Sequence, residues 1–473
     1  MTTSLIGIGG KSGQAKLEDV KLLLETLRVD LKDKTLEDAQ RDQLLEKLKI
    51  YGRDADNADP IFTKEGIETL AQYAFESTTT STSREALRCL ANALLLKEGT
   101  RQLFVNAGAA PKAAEKLKSD SCDDEFLLSR ILFLLTYGTN ANFEDLVSKN
   151  SLGESINQCL CRHAKRYSKT RRLSSQSSPM DDMALTETAK LLFNITHFNS
   201  DLSGIFSPSV PFLLTILSGK KQQSLYLDQS LSAVVNAPIN LDLGDETAKA
   251  ALFPRGDPKS LSQDIVNILD TAIRSHTKGE LDPIIAPVIS LLRKIYAVAP
   301  EEVKRHMESL LLPSDAERNK PLGKSDTLPS RLLKLSTSAT TTTLRTSISS
   351  LLFELSSKNP TKFVANVGYG FAAGFLMSQN LPVPQNIGEA TSAEEESGGG
   401  VAVNPITGQR LEMEVDPEDG LPPMTEEEKE EEAERLFVLF ERLRATGVVD
   451  VVNPITRRPR EEGDGDRIEE LPD

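Results

Sequence analysis

Apolar residues recur at three- and four-residue spacing in Ala86–Leu96, Leu127–Leu135, Thr188–Ile195, Ile284–Ile295 and Ile348–Leu355. That period predicts helices with one buried stripe each. Polar turns containing Gly, Pro or Ser separate them, and neither a hairpin pattern nor strand–helix alternation is visible. A weak internal repeat accompanies the stripes. Leu87-Arg-Cys-Leu-Ala-Asn92 resembles Ala189-Lys-Leu-Leu-Phe-Asn194 and, more loosely, Leu231-Ser-Ala-Val-Val-Asn236. Asn194 and Asn236 are 42 residues apart; the 102 residues from Asn92 to Asn194 hold one further helix near Arg130–Thr136 and a polar insertion. Periods of about 40–47 residues fit armadillo or HEAT repeats, whose inner helices line a continuous concave groove. The expected fold is therefore all-α: an armadillo/HEAT-like superhelix over residues 1–384, followed by an acidic C-terminal tail.

The insertion, placed at about 162–183, contains Arg171-Arg-Leu-Ser-Ser-Gln-Ser-Ser-Pro179 and reads as a flexible loop. Past the body, 385–424 reads as an acidic linker. Residues 425–447 read as one amphipathic helix and 448–473 as a disordered tail. Thr425 with Glu428 three residues later is a capping-box pattern. Ala433, Leu436, Phe437, Phe440 and Leu443 then share one apolar stripe, and Gly447 can end the helix. A short amphipathic helix on a linker is suited to docking, on its own body or on a partner.

Composition sharpens this picture. Trp is absent and aromatics are 5% of the 473 residues, which favours Leu-packed helices over sheets. The net charge of −15 sits in the tail: Glu389–Asp473 carries 25 acidic and 9 basic residues, leaving 45 and 46 in the body. An acidic tail on a neutral body argues against nucleic-acid binding. No window approaches about 18 consecutive apolar residues, so no integral membrane segment is expected. The four cysteines read as free thiols of a cytoplasmic protein.

Little in the sequence suggests enzymatic chemistry. Gly7–Gly13 contains Gly-Lys-Ser, but Leu5 stands where a phosphate-binding loop needs Gly. Cys159-Leu-Cys161-Arg-His163 clusters three possible ligands without a second half, so no metal is expected. Neither a nucleophile elbow nor a His-Glu-x-x-His pair occurs, and no catalytic residue or cofactor is assigned. Rows of binding-competent side chains are more informative. Arg84, Arg88 and Asn92 share one helix face; so do Arg130, Phe133 and Tyr137, and Glu187, Lys190 and Asn194. Asn236 continues the series through the repeat. Such rows can grip an extended or helical segment through its carbonyls and carboxylates. Alternatively they are solvated faces, with the Asn side chains capping neighbouring helices. Thr391 and Ser392, each with Glu three residues on, suit a protein kinase that prefers acidic substrates.

The stretch Leu351–Leu376, with its Gly368-Tyr-Gly-Phe-Ala-Ala-Gly374 core, resembles the synembryn family. So do Asn404-Pro-Ile-Thr-Gly408 and Met424-Thr-Glu-Glu-Glu-Lys429, while Leu87–Leu96 and Ala189–Thr196 look like that family's early repeats. The resemblance implies a chaperone and guanine-nucleotide exchange factor for heterotrimeric G-protein α subunits, acting by binding rather than covalent chemistry. It implies that Arg84, Arg88, Asn92, Arg130, Phe133, Tyr137, Lys190, Asn194 and Asn236 line a groove holding the C-terminal helix of Gα. It implies that the tail helix, with Leu436, Phe437, Phe440 and Leu443, braces the nucleotide-binding half of Gα. Phosphorylation at about Thr391 and Ser392 is implied to stabilise the fold, with Arg293, Lys294, Arg331 and Lys334 as expected receivers. The expected state is a monomer, recruited to the plasma membrane through Gα. A generic armadillo adaptor for a peptide or cargo is the competing reading. A second Asn453-Pro-Ile-Thr456 departs from the family's pattern.

Overall fold

The computed structural model describes residues 11–167, 178–221, 227–276, 280–338, 342–384, 404 and 407–413. The chain divides into two compact units, Met1–Glu412 and Met413–Asp473, and the described residues fall almost wholly in the first. Twenty α-helices and no strands occur among them.

Two ladders of stacked helices build the first unit. One consists of α2 (Asp38–Tyr51), α4 (Thr80–Leu96), α7 (Cys122–Leu135), α10 (Pro179–Phe198), α12 (Gln229–Asn236), α15 (Leu281–Val298) and α18 (Thr342–Leu355), each packed on the next. The other runs through α3 (Lys64–Glu76), α6 (Ala109–Lys116), α9 (Leu152–Arg166), α11 (Val210–Lys221), α14 (Ser260–Ser275) and α16 (Glu301–Leu311). Successive members touch only near neighbours, which is the logic of an armadillo/HEAT superhelix. The space between the ladders is filled mainly by Leu, Ile, Val and Ala in one continuous cluster, from Val20 through Leu90, Leu132 and Leu292 to Leu376. Ser200–Lys220 is long and apolar enough to cross a membrane, but Phe206, Val210, Leu213 and Leu217 within it are fully buried in this core.

Polar caps start many of the helices. Asp228, Asp245 and Asn359 side chains accept from backbone N–H groups three residues on, at 2.7, 2.7 and 3.1 Å. At α10, Ser178 and Asp181 form a full capping box with Pro179 in the first turn. This corrects the extent of the predicted insertion. Helix α9 continues to Arg166 and α10 starts at Pro179, so both flanks of the 162–183 interval are helical. Within the same unit, Thr407–Arg410 pack against Arg318–Leu322.

Buried carboxylates tie neighbouring repeats together. Asp30, near the end of α1 (Gly13–Asp33), is 2% exposed. It accepts from Arg41 of α2 at 2.6 Å, from Tyr73 of α3 at 2.8 Å and from the Leu36 N–H at 2.7 Å. Burial pushes its carboxyl up, but these donors outweigh burial and bring it to about 2. Glu125 of α7 is fully buried and accepts from Arg162 (2.7 Å), His163 (2.9 Å) and Thr188 (2.8 Å), joining α7, α9 and α10. Arg166 in turn lies 3.3 Å from His163 Nδ1. Burial again opposes ionisation, and His163, Arg162 and Thr188 together hold Glu125 below the usual carboxylate range.

Both carboxylates are depressed on folding, so their contribution is present above the unfolded carboxylate range and is lost as pH falls. For Asp30 the loss runs through the folded pKa of about 2, is complete only near about pH 1, and amounts to about 2 kcal/mol. Asp30→Asn should flatten the fall in unfolding free energy between pH 5 and pH 2. Glu125→Ala, which takes the shared acceptor from buried His163 and Thr188 and from half-buried Arg162, should cost about 3–5 kcal/mol at neutral pH, read from urea denaturation.

Candidate functional site

Stacking α4, α7, α10 and α12 side by side brings the predicted rows onto one face. On α4, Arg84 donates to Asp124 at 2.7 Å and Ser121 at 2.6 Å, and lies 3.6 Å from Asp123. Arg88 donates to Glu85 at 2.6 Å and reaches Asp123 at 3.8 Å. Glu85 in turn accepts from Lys49 of α2 at 2.7 Å. On the next pair of helices, Glu187 is 5% exposed and takes both Arg130 and Lys190, each at 3.3 Å. The cations of this face are thus held in place by acidic neighbours while their side chains stay partly open to solvent.

Arg130, Phe133 and Lys190 line a depression of about 470 Å³ with Leu95, Phe126, Met183, Glu187 and the start of α12. The Arg130 guanidinium lies 5.9 Å from the centre of the Phe126 ring, a favourable cation–π placement. Beside it is an aromatic ledge. Tyr137 packs edge-on against Phe133 (5.5 Å) and Phe198 (5.8 Å), and His197 stacks on Phe193 (5.6 Å). Tyr137 is 40% and Phe198 54% exposed. Phe193, His197, Phe198 and Met183 were not anticipated. The four-residue step from Phe193 to His197 places both on one helix face and was the available signal.

The three Asn residues of the repeat differ in their surroundings. Asn92 is half-buried, and its amide reaches the Lys49 carbonyl of α2 at 3.5 Å. Asn194 is 5% exposed and donates to Thr136, the residue that caps the end of α7, at 2.8 Å. Asn236 is half-buried and donates within its own helix, to the Ser232 carbonyl at 3.1 Å. Asn92 and Asn194 therefore bridge ladder neighbours, the capping alternative raised by the sequence.

Elsewhere, Cys159 and His163 lie in the interior, and burial pushes the Cys159 thiol to about 12, the character of an inert thiol rather than a metal ligand. Among the described residues no group of three metal-ligating side chains converges. Of the expected phosphate receivers, Arg293 is paired with Glu354 at 2.7 and 2.9 Å, and Arg331 with Asp270 and Asp326. Lys294 donates to the Leu241 carbonyl at 3.2 Å, and Lys334 is exposed. Thr391, Ser392 and the stripe of Leu436, Phe437, Phe440 and Leu443 lie outside the described residues.

Stacked ladders with a shared charged and aromatic face define the class: an armadillo/HEAT-type helical-repeat protein. Its sequence then places it more closely, because the profile of the guanine nucleotide exchange factor synembryn family matches residues 44–463, and the chain belongs to that family. It is 27% identical to a protein named Chaperone Ric-8A from Pongo abelii, over 94% of this chain and 88% of that protein. The chicken (Gallus gallus) Chaperone Ric-8A is 25% identical over 86% and 81%. A synembryn-like chaperone of Schizosaccharomyces pombe is 31% identical across 39% of this chain and 35% of that protein. Among solved structures, a designed armadillo repeat protein is similar over 58% of this chain and 99% of its own, with 11% identity and a TM-score of 0.38.

The burial of the Asn side chains sets an order of stability effects. Asn194→Ala leaves the Thr136 hydroxyl without its donor and should cost about 1–3 kcal/mol. Asn236→Ala gives up only a bond within its own helix and should cost less than about 0.5 kcal/mol. Thermal denaturation of the two variants checks the order.

Proposed function

We propose that this protein is a chaperone and nucleotide exchange factor for heterotrimeric G-protein α subunits, holding the Gα C-terminal helix against the face formed by α4, α7, α10 and α12. Membership of an exchange-factor family supports the reading, as do relatives named as chaperones. The observation that carries it is the convergence of Arg130, Phe133 and Lys190 on one depression, with the paired cations Arg84 and Arg88 on the neighbouring helix α4. Half-exposed cations beside exposed aromatics suit an amphipathic helix ending in a carboxylate. Asn92, Asn194 and Asn236 belong to the same row, with Asn194 contributing through its hold on Thr136.

Exchange on this reading is a linkage effect. A protein that binds empty Gα more tightly than loaded Gα must weaken nucleotide binding by the same factor. Withdrawing the C-terminal helix from the Gα core supplies that preference. The same grip on a half-folded Gα favours folding by mass action. Leu436, Phe437, Phe440 and Leu443 are the proposed brace on Gα, and Thr391 and Ser392 the proposed kinase sites. Exposed Lys334 is the first candidate to receive a phosphate. The protein acts in this scheme as a cytoplasmic monomer, drawn to the plasma membrane by Gα.

Arg88→Ala/Asn92→Ala should weaken Gα binding at least about tenfold while leaving the fold intact. Release of a fluorescent GDP analogue should slow in step, and unchanged affinity would assign the grip to another surface. Deleting 425–473 should leave binding of an isolated Gα C-terminal peptide unchanged and sharply reduce GDP release from whole Gα. Equal release by the truncated and full chains would remove the brace. Binding to peptides without regard to Gα would favour a generic adaptor.

A further inference from the structure

The Asn404-Pro-Ile-Thr-Gly408 motif finds its physical role away from the charged face. Main-chain hydrogen bonds run both ways between it and the body: Leu322 N–H to the Thr407 carbonyl at 2.9 Å, and Arg410 N–H to the Arg318 carbonyl at 2.7 Å. The Gln409 side chain, 8% exposed, adds a bond to the Asn319 carbonyl at 3.3 Å. Within the motif, Gly408 N–H bonds the Asn404 carbonyl at 2.7 Å, and Thr407 N–H bonds the Asn404 side chain at 3.2 Å. Arg318 then joins three segments. Its guanidinium donates to the Gly408 carbonyl at 3.3 Å and to the Ala365 and Asn366 carbonyls at 3.0 and 3.1 Å. Those last two belong to the final turn of α19 (Pro360–Val367), where helix carbonyls lack intrahelical partners.

The fit is selective at two positions. Gly408 is buried with φ +69°, and a Cβ there would lie 2.4 Å from Leu322 Cδ1 and 2.8 Å from its Cγ. Both the left-handed backbone and the contact call for glycine. Arg410 contributes a main-chain N–H, which proline lacks. Aligning Asn453-Pro-Ile-Thr456 on the first motif puts Arg457 at the glycine position and Pro459 at the donor position. The second copy fails both requirements.

The geometry points to a dedicated peptide seat, made of Arg318–Leu322 and the end of α19, that accepts Asn404 and Thr407–Arg410 of this chain as a latch and rejects the copy at 453. The latch holds the chain at Arg410, beyond α20 (Tyr369–Ser378). The last described residue packed on the core before it is Val383. The 27 residues from Val383 to Arg410 span up to about 95 Å when fully extended. This assignment needs no Gα and stands apart from the function proposed above.

Amide hydrogen exchange on the full chain tests it. Gly408→Val and Arg410→Pro should each speed exchange of the Leu322 amide at least about tenfold, whereas Arg410→Ala, which keeps the donor, should change it little. The Leu351 amide in α18 should keep its parent rate in all three. Adding a peptide of residues 402–413 to the Gly408→Val variant should restore Leu322 protection, and a peptide of residues 451–462 should not. Parent-like Leu322 protection in Gly408→Val would overturn the seat. Loss of Leu351 protection would make the segment part of the folding core instead of a latch. Rescue by both peptides would overturn the selectivity.

Discussion

None of the described helices can hide its own apolar stripe. Leu90, Leu132, Leu192 and Leu292 are fully buried only because α4, α7, α10 and α15 each have stacked neighbours. Burying one such side chain is worth about 1.5–3 kcal/mol, so the ladder is held by sums taken over adjacent pairs. Stacking in turn sets the polar problem. Side chains and helix ends enclosed between repeats must find partners there, because water is excluded. Asp30, Glu125 and Arg318 answer that demand at the start, middle and end of the first unit, each joining three segments.

The sequence made the α4, α7, α10, α15 and α18 helices legible for the same reason. A helix packed against its ladder neighbours and against the second ladder needs a wide apolar stripe, and a wide stripe is what periodicity detects. The eight-residue helices α5 (Gly99–Asn106) and α6 were not seen, since two turns hardly establish a period. The face was legible row by row, because residues four apart on one helix must coincide. Glu187 was legible with them, but the long-range acidic partners were not. Arg84 meets Asp124 on the face, and Arg162 meets Glu125 behind it, across 40 and 37 residues of chain, and no local pattern announces such pairs. Asn194 shows the opposite lesson: it kept its place in the repeat but turned its amide inward, to Thr136.

Prior pairing changes what the face asks of a ligand. Arg130 and Lys190 are held by a single nearly buried carboxylate, Glu187. An incoming carboxylate need not organise two long side chains, because their ordering has already been met in the free protein. It must instead lie close to Glu187, whose charge repels it. Affinity for an acidic group alone is therefore tempered, and the exposed rings of Tyr137 and Phe198 gain weight in any recognition.

The contacts flanking the insertion allow a practical conclusion. At the end of α9, Arg166 lies 2.9 Å from Asp181 in the first turn of α10, and Cys122 of α7 bonds the same carboxylate at 2.8 Å. The two ends of the interval 168–177 are thus clamped by side chains outside it. Closing a loop between fixed ends costs only about 0.6 kcal/mol more for each doubling of its length. The interval is accordingly an entry port. A fluorescent protein or affinity module whose termini lie close together could be spliced there, giving a reporter in the middle of the chain with both ladders undisturbed.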